Sequence, residues 1–323
     1  MSAPTVTSET VYFSPGRVWT IAVNTLTEMT RQKIFYFMIA FALLMIGAAS
    51  FFSIFTFGVE AEYVTQLKFI KDTGLGAISV FGSIIAIVAT AQLLPAELEN
   101  RTIYTILAKP VHRLEFLLGK YFGAALLLVI SVFLMGLLFL AVVALKERTL
   151  TRATYHETME FAERGISKTA TPEQRQKALA KAERDAAQAV AEIRKTSGYG
   201  GIVKALATVL CKLLLIAAMT LFLSTFATSM VFTVVMSAML YFCGHLVPVA
   251  QQFYDRAESW LGKLMALVVN WVLPNLAAFD VADDLFAGLE LAWLKVLKIV
   301  CYGAFYVLVT LTLAHLVFRQ REI

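Results

Sequence analysis

Charged side chains are scarce in this chain. Only 16% of its 323 residues are Asp, Glu, Lys or Arg, whereas 59% are hydrophobic, and the mean hydropathy is +0.72. A soluble domain carries about 25% charged residues, so the composition excludes an ordinary soluble protein and predicts an integral membrane protein. The formal net charge is +5. In a membrane protein basic residues usually face anionic lipid, and we expect no nucleic-acid partner.

Cysteine is also rare. The three cysteines, Cys211, Cys243 and Cys301, all fall in apolar stretches, where a thiol behaves as a small buried hydrophobe, so neither a disulfide framework nor a metal site is expected. The first 16 residues contain no Lys or Arg and no apolar core. We therefore expect the first span to be an uncleaved anchor rather than a signal peptide.

Motifs for nucleotide binding and hydrolysis are missing. Gly119 and Lys120 are followed by Tyr121, and Leu114 stands where a P-loop requires its first glycine, so the sequence excludes ATP binding through a P-loop. It also lacks H-E-x-x-H, G-x-S-x-G and paired carboxylates within the apolar stretches. An intramembrane enzyme is therefore disfavoured, and we assign no catalytic residue.

Long uncharged runs are what the chain has instead. A helix needs about 20 apolar residues to cross a bilayer. Residues 34–59, 73–96, 121–145 and 299–318 carry no charge, and we expect one span in each. The uncharged stretch of 42 residues between Lys212 and Asp255 holds most of two more, with the turn at 224–229. The sequence thus predicts an all-α integral membrane fold with six transmembrane helices.

Two segments are predicted to lie along the membrane surface. Val18, Ile21, Ala22, Leu26 and Met29 recur at helical spacing before span one, which predicts an N-terminal amphipathic interfacial helix. The apolar run between Lys263 and Asp280 is short and is broken by Pro274. It predicts re-entrant or interfacial helices between spans five and six, within residues 255–292.

A helical hairpin is predicted between spans three and four. Thr171 can cap a helix that begins at Pro172 and ends before Gly198, and residues 146–164 can form its antiparallel partner. Two interpretations are open: a solvated hairpin that extends spans three and four, or a docking arm for a lid, a partner or a substrate. We therefore divide the chain into residues 1–145, with spans one to three, an inserted hairpin at 146–201, and residues 202–323, with spans four to six. Together they form one membrane domain with an insertion.

The distribution of Lys and Arg predicts the orientation. Basic residues close to spans collect on one side of a six-span chain, at Arg17, Arg31, Lys33, Arg101, Lys109, Arg113, Lys120, Arg319 and Arg321. Short loops rich in Lys and Arg stay in the cytoplasm, so we expect both termini to be cytoplasmic. The 146–201 hairpin, with eleven basic and eight acidic residues, is then extracytoplasmic. Loops of this length translocate largely regardless of charge.

Residues 97–120, which we call the elbow, form a charged segment between two uncharged runs. Glu97 and Arg101 stand four apart in the favourable acid-first order, so residues 97–107 predict a short charged helix. Pro110 ends it and begins a second helix, on which Arg113 and Lys120 share one face and Gly119 permits close packing. Two roles are open: docking against another protein, or an amphipathic turn solvated by lipid headgroups.

The elbow resembles the segment between the second and third spans of ABC-2 type ABC transporter permeases. The matching residues are Glu97, Glu99, Arg101, Thr102, Pro110, Arg113, Gly119 and Lys120. The interfacial helix, the count of six spans and the string LPNLAAFD at 273–280 are also similar to that family. The resemblance covers nearly the whole chain except the insertion at 146–201.

The resemblance implies a permease subunit, expected to be an exporter in a bacterial inner membrane. Such a subunit dimerises and binds two copies of a cytosolic ATPase, which holds the ATP and magnesium, so no cofactor is expected in this chain. The first elbow helix would seat in a groove of the ATPase through Glu97, Glu99 and Arg101, with Thr102 in the same motif. Pro110 would fix the angle of the elbow, and Arg113, Gly119 and Lys120 would anchor it at the membrane. A mechanotransmission or assembly factor acting on an extracytoplasmic partner through the 146–201 hairpin is the alternative.

A few other polar residues are candidates for a substrate path. Lys212 lies within span four, where it could pair with a substrate anion or with a carboxylate at the dimer interface, although a Lys there more often snorkels to the membrane surface. Asn270 and Asn275 flank Pro274, where they can satisfy freed backbone groups or face a substrate. His245 and His315 are expected to be structural residues with hydrogen-bond partners.

Overall fold

The computed structural model describes residues 13–57, 63–99, 112–166, 171–256, 260, 273–282 and 291–320. No strand occurs in these ranges, and the prediction of an all-α chain is confirmed for them. The helices are α1 Pro15–Thr30, α2 Lys33–Phe57, α3 Tyr63–Ala91, α4 Pro95–Glu99, α5 Arg113–Gly165, α6 Pro172–Ser197, α7 Tyr199–Phe226, α8 Met230–His245, α9 Val247–Arg256 and α10 Trp293–Gln320, with a 3-10 turn at Ala277–Phe279.

Helix α1 is the predicted amphipathic helix, and it packs against the start of α5. Its buried residues are Ala22, Thr25 and Met29, whereas Trp19 on another face is 60% exposed. The contact requires glycine on α5, because a Cβ at Gly123 would lie 2.8 Å from the carbonyl oxygen of Ala22. A Cβ at Gly119 would lie 2.6 Å from the side chain of Ile21. Gly119 therefore packs against α1. It does not have its predicted role, which was to anchor the elbow at the membrane.

Helix α5 joins the membrane part to the hairpin without interruption. Its 53 residues correspond to about 80 Å at 1.5 Å per residue. Helix α6 returns alongside it and begins as predicted, with Thr171 and Gln174 forming a reciprocal capping box around Pro172. Gly198 separates α6 from α7 with a φ of 49°, a left-handed conformation that glycine adopts without steric cost. The hairpin is thus a direct extension of two long helices.

The hairpin is also tied to α3. The Tyr63 hydroxyl donates to Glu157 of α5, and the Lys71 ammonium donates to the carbonyl of Thr196 at 2.8 Å. At the base of the hairpin the Tyr199 hydroxyl donates to Glu147. These contacts join four helices, α3, α5, α6 and α7, on the hairpin side of the membrane part.

Four stretches of helix are long and apolar enough to cross a membrane: Tyr63–Glu97, Arg113–Gly165, Pro172–Phe226 and Trp293–Gln320. They include predicted spans two, three, four and six. Within the described residues, spans one and five correspond to shorter apolar helices, Ile39–Ala48 and Met230–His245. The predicted turn at 224–229 is confirmed, because α7 ends at Phe226 and α8 begins at Met230. The count of six spans stays a prediction.

The segment before α10 folds back into the helical bundle. Leu276 and Phe279 are fully buried, and the amide of Leu276 donates to the carbonyl of Gly244 at the end of α8 at 3.1 Å. Residues 273–282 therefore pack between α7, α8 and α10. Residues 257–259, 261–272 and 283–290 of the predicted re-entrant region lie outside the described residues.

Candidate functional site

A buried ion pair fixes the start of the elbow. Glu97, in the short helix α4, places Oε1 2.5 Å from Nζ of Lys120 on α5. Lys120 is only 2% exposed, and Glu28 of α1 lies 3.6 Å away as its second carboxylate partner. An ammonium group is costly to bury without a counter-charge. The pair therefore holds α4 against α5 and α1.

A second buried carboxylate, Glu115, joins the beginnings of α1 and α5. Its side chain is fully buried, and its Oε2 lies 3.2 Å from the guanidinium of Arg17. Its Oε1 accepts a hydrogen bond of 2.6 Å from the Ser14 amide, and its Oε2 accepts one from the His112 amide at 3.3 Å. We refer to Arg17, Glu28, Glu97, Glu115 and Lys120 together as the inner cluster.

Arg113 joins the beginning of α5 to the end of α10. Its guanidinium donates to the carbonyl oxygens of Phe318 at 3.1 Å and Arg319 at 3.0 Å. These are carbonyls of the last turn of α10, which has no intrahelical donors for them. The first residue of α5 is thus a cap for the end of α10, and the elbow contacts helices from both ends of the chain.

This geometry corrects three predictions. Arg113 and Lys120 bind protein groups and do not anchor the elbow at lipid headgroups. Glu97 is 9% exposed and paired within the chain, so its position does not fit the predicted role of an exposed contact charge. A helix beginning at Pro110 is also wrong, because His112 has extended backbone angles and caps a helix that begins at Arg113.

The rest of the predicted contact surface lies beyond the described part of the elbow. Glu99 is the last residue of α4, and its side chain lies outside the described residues, as do Arg101, Thr102 and Pro110. Their assignment to the ATPase contact stays a prediction.

A second polar group, which we call the outer cluster, surrounds Asp280 inside the bundle. Lys212 of α7 is 1% exposed, and its ammonium lies 2.6 Å from Oδ1 of Asp280. His245 of α8 approaches the other carboxylate oxygen, with Nε2 3.4 Å from Oδ2. Ser79 of α3 lies at 3.5 Å. The expectation that Lys212 snorkels to the interface is wrong, because its ammonium meets a carboxylate in the interior.

The outer cluster lines a cavity of about 260 Å³. Asp280 keeps 39% of its side chain exposed there, whereas Lys212 is enclosed. Burial raises the pKa of Asp280, but the hydrogen bonds and charges of His245 and Lys212 outweigh burial and hold that pKa below its ordinary value. The carboxylate is therefore ionised at neutral pH and neutralises a lysine in the bundle.

The remaining polar candidates have mainly structural contacts. The Oδ1 atom of Asn275 accepts from the Ala278 amide at 3.2 Å, and its own amide donates to the Tyr302 hydroxyl at 2.8 Å. These bonds satisfy backbone groups beside Pro274, as one interpretation predicted. His245 has the predicted hydrogen bond, since its Nδ1 lies 3.0 Å from the carbonyl oxygen of Tyr241. His315 is partly buried on α10, and Asn270 lies outside the described residues.

Sequence reasoning missed several residues of both clusters. Glu115 could have been found, because His112 and Glu115 have the spacing of a helix N-cap and its reciprocal acidic partner. Asp280 was quoted within LPNLAAFD but not considered as the partner of Lys212, from which 68 positions separate it. Glu28 gave no signal in the sequence, since an acidic residue on an amphipathic helix is ordinarily solvated.

The fold defines the class of the protein. Within the described residues, four stretches of helix are long and apolar enough to cross a bilayer, which makes this a multi-pass membrane protein. Residues 27–170 match the model of a family described as ABC-2 family transporter protein. The match confirms the resemblance to ABC-2 type permeases, and with it the chain's similarity to the membrane subunits of ABC transporters.

The extent of the match differs from the resemblance seen in the sequence. It spans a little under half of the chain and contains the elbow. It continues through residues 146–170 of the hairpin, which we had not matched to that family, and it does not reach residues 273–280. No curated protein matches the chain.

Proposed function

We propose that this chain is the permease subunit of an ABC exporter in a bacterial inner membrane. A separate cytosolic ATPase would hydrolyse ATP, with its magnesium ion, and the permease would convert that cycle into substrate movement. The functional unit would contain two permease chains and two ATPase chains. The family match at 27–170 supports the permease assignment, and the inner cluster supports the coupling.

The observation that carries the proposal is how the elbow is fixed. Glu97, at its start, is tied to α5 and α1 through Lys120, and Arg113, within its second half, caps α10. A displacement imposed on the intervening residues would therefore be passed to three helices. Closely packed interiors transmit strain and do not absorb it, so an ATPase that moves the elbow would move the spans.

The coupling contact is tested by charge reversal at Arg101. We expect Arg101→Glu to abolish co-purification of the cytosolic ATPase from detergent-solubilised membranes, since losing an arginine anchor costs an interface about 2 kcal/mol or more. Arg31→Glu is a matched control. Arg31 is a basic residue predicted to lie on the same side of the membrane as the elbow, but it lies between α1 and α2, outside the predicted ATPase contact. Normal ATPase recovery with Arg101→Glu, or equal loss with Arg31→Glu, would contradict the assignment.

A mechanotransmission factor is the second candidate, favoured by the continuity of α5. This helix begins beside the inner cluster and ends near the tip of the hairpin, and the hairpin is fastened to α3 by Tyr63 and Lys71. Force applied at the elbow would therefore reach an extracytoplasmic partner at the hairpin.

Deleting residues 151–195 separates the two candidates. A transporter whose hairpin is only a solvated extension keeps substrate-stimulated ATP hydrolysis in proteoliposomes, whereas a force transmitter loses all output while still binding its ATPase. The double variant Tyr63→Phe and Lys71→Met is the milder form, because it retains the hairpin and removes its ties to α3. Under the mechanotransmission function it should lower output, and under the transport function it should leave transport unchanged.

A further inference from the structure

A second depression, separate from the outer cluster, lies between α9, residues 273–282 and α10. Its volume is about 770 Å³, within the range of roughly 300 to 1,000 Å³ typical of small-molecule sites. Six of its lining residues belong to α10: Lys298, Ile299, Tyr302, Phe305, Tyr306 and Val309. Their spacing places them on one face of the helix. The depression is therefore a groove that follows α10 lengthwise.

The chemistry of the groove changes along its length. Lys298 lies at the boundary between the charged beginning of α10 and its uncharged residues 299–318, which at about 30 Å match the hydrocarbon thickness of a bilayer. Gln251 of α9 and Asn275 line the groove together with Lys298. Val309 lies eleven residues further along α10, which is about 17 Å deeper, and Phe305 lies between them. A cationic end at Lys298 is thus continuous with an apolar end at Phe305 and Val309.

We propose that this groove binds a phospholipid with an anionic headgroup, taken from the leaflet on the hairpin side. The Lys298 ammonium would bind the net negative charge of the headgroup, because basic side chains at the membrane surface attract anionic lipid. Phosphatidylcholine has no such net charge, since its choline cation balances its phosphate. One acyl chain would lie along Ile299, Phe305 and Val309. This arrangement fits an amphipathic ligand, in which an apolar chain extends directly from a charged group.

A second copy of the chain fits the groove less well. A symmetric dimer places the same surface patch of both subunits together, and a concave groove facing its own copy leaves an unfilled space. Empty space in an interface forfeits the dispersion contacts that would stabilise it. A flexible acyl chain has no such constraint, so lipid is the occupant that we assign.

The test measures lipid bound to the purified full-length chain by native mass spectrometry, with phosphatidylglycerol or phosphatidylcholine added in detergent. Val309→Trp should fill the apolar end and remove most of the bound lipid. Leu308→Trp is its control, because Leu308 is 66% exposed on the same helix and does not line the groove. Lys298→Gln should weaken phosphatidylglycerol binding about fivefold, whereas Lys295→Gln, one turn away and outside the groove, should not.

Two results would overturn the assignment of lipid to the groove, and a third would overturn recognition of its headgroup. One is equal lipid retention by Val309→Trp and Leu308→Trp. The other is a disulfide between two copies of Val309→Cys in native membranes, since that would place a second chain in the groove. Lys298→Gln should reduce phosphatidylglycerol binding and leave phosphatidylcholine unchanged, and equal loss of both lipids would exclude recognition of the headgroup charge. The inference does not depend on ATPase coupling, because lipid retention is measured without the ATPase.

Discussion

Asp280→Asn is expected to destabilise the protein more than removal of the lysine that Asp280 binds. The asparagine keeps the shape of the side chain but leaves the Lys212 ammonium, which is 1% exposed, without its counter-charge at 2.6 Å. Removing one partner of a buried ion pair typically costs about 3 to 5 kcal/mol. Residues 273–282, the outer segment that carries Asp280, should then separate from α7, and thermal unfolding of the purified chain in detergent would report the loss.

The reciprocal variant supplies the control. Lys212→Met removes the buried charge itself, and Asp280 keeps His245 at 3.4 Å and an opening to the cavity. We expect a smaller loss, about 1 kcal/mol, as for one hydrogen bond. The double variant Lys212→Met and Asp280→Asn should recover most of the stability lost in Asp280→Asn. An additive double variant, or equal single variants, would contradict a buried ion pair at this site.

Glu97→Gln is expected to separate ATPase binding from ATPase coupling. The amide removes the carboxylate that lies 2.5 Å from Lys120 and leaves a buried ammonium with the more distant Glu28. We expect a loss of about 3 kcal/mol in unfolding free energy and a loss of substrate-stimulated ATP hydrolysis in proteoliposomes. Co-purification of the ATPase should persist, because Glu97 is enclosed within the permease.

Glu28→Gln is the matched control for Glu97→Gln. Its carboxylate is 51% exposed and lies 3.6 Å from the same ammonium, and exposed ion pairs contribute about 0 to 1 kcal/mol. Stability and stimulated hydrolysis should therefore stay near wild type. If Glu97→Gln prevents co-purification of the ATPase as completely as Arg101→Glu, then Glu97 belongs to the contact itself and the coupling role is wrong.

Features specified by short stretches of sequence could be predicted. The cap at Thr171, the stop at Gly198, the turn after Phe226 and the amphipathic α1 are all confirmed. Each depends on residues within about one helical turn of one another, so propensity and capping chemistry determine them. The predicted beginning of α5 at Pro110 is wrong by three residues, because the reciprocal contact of His112 with Glu115 places the first residue of the helix at Arg113.

The ion partners could not be predicted in this way. The expectation for Lys212 rested on its position in a span, where an isolated lysine favours snorkelling, and the anchoring role of Lys120 was implied by the resemblance to ABC-2 type permeases. Their carboxylates lie on other elements, and only packing brings them together: Glu97 on α4, Glu28 on α1 and Asp280 on the outer segment. Gly119 was recognised as a site of close packing, but its partner α1 depended on the tertiary fold in the same way.

The proposed function depends most on the presence of an ATPase partner. The most direct measurement is purification of the full-length tagged chain from membranes of its own host in mild detergent, followed by identification and counting of the bound proteins by mass spectrometry. The proposed function predicts a complex of two permease chains and two ABC ATPase chains. The ATPase should be lost from the complex with Arg101→Glu and retained with Glu97→Gln. A chain that purifies with no ATPase, or that hydrolyses ATP alone, would contradict it.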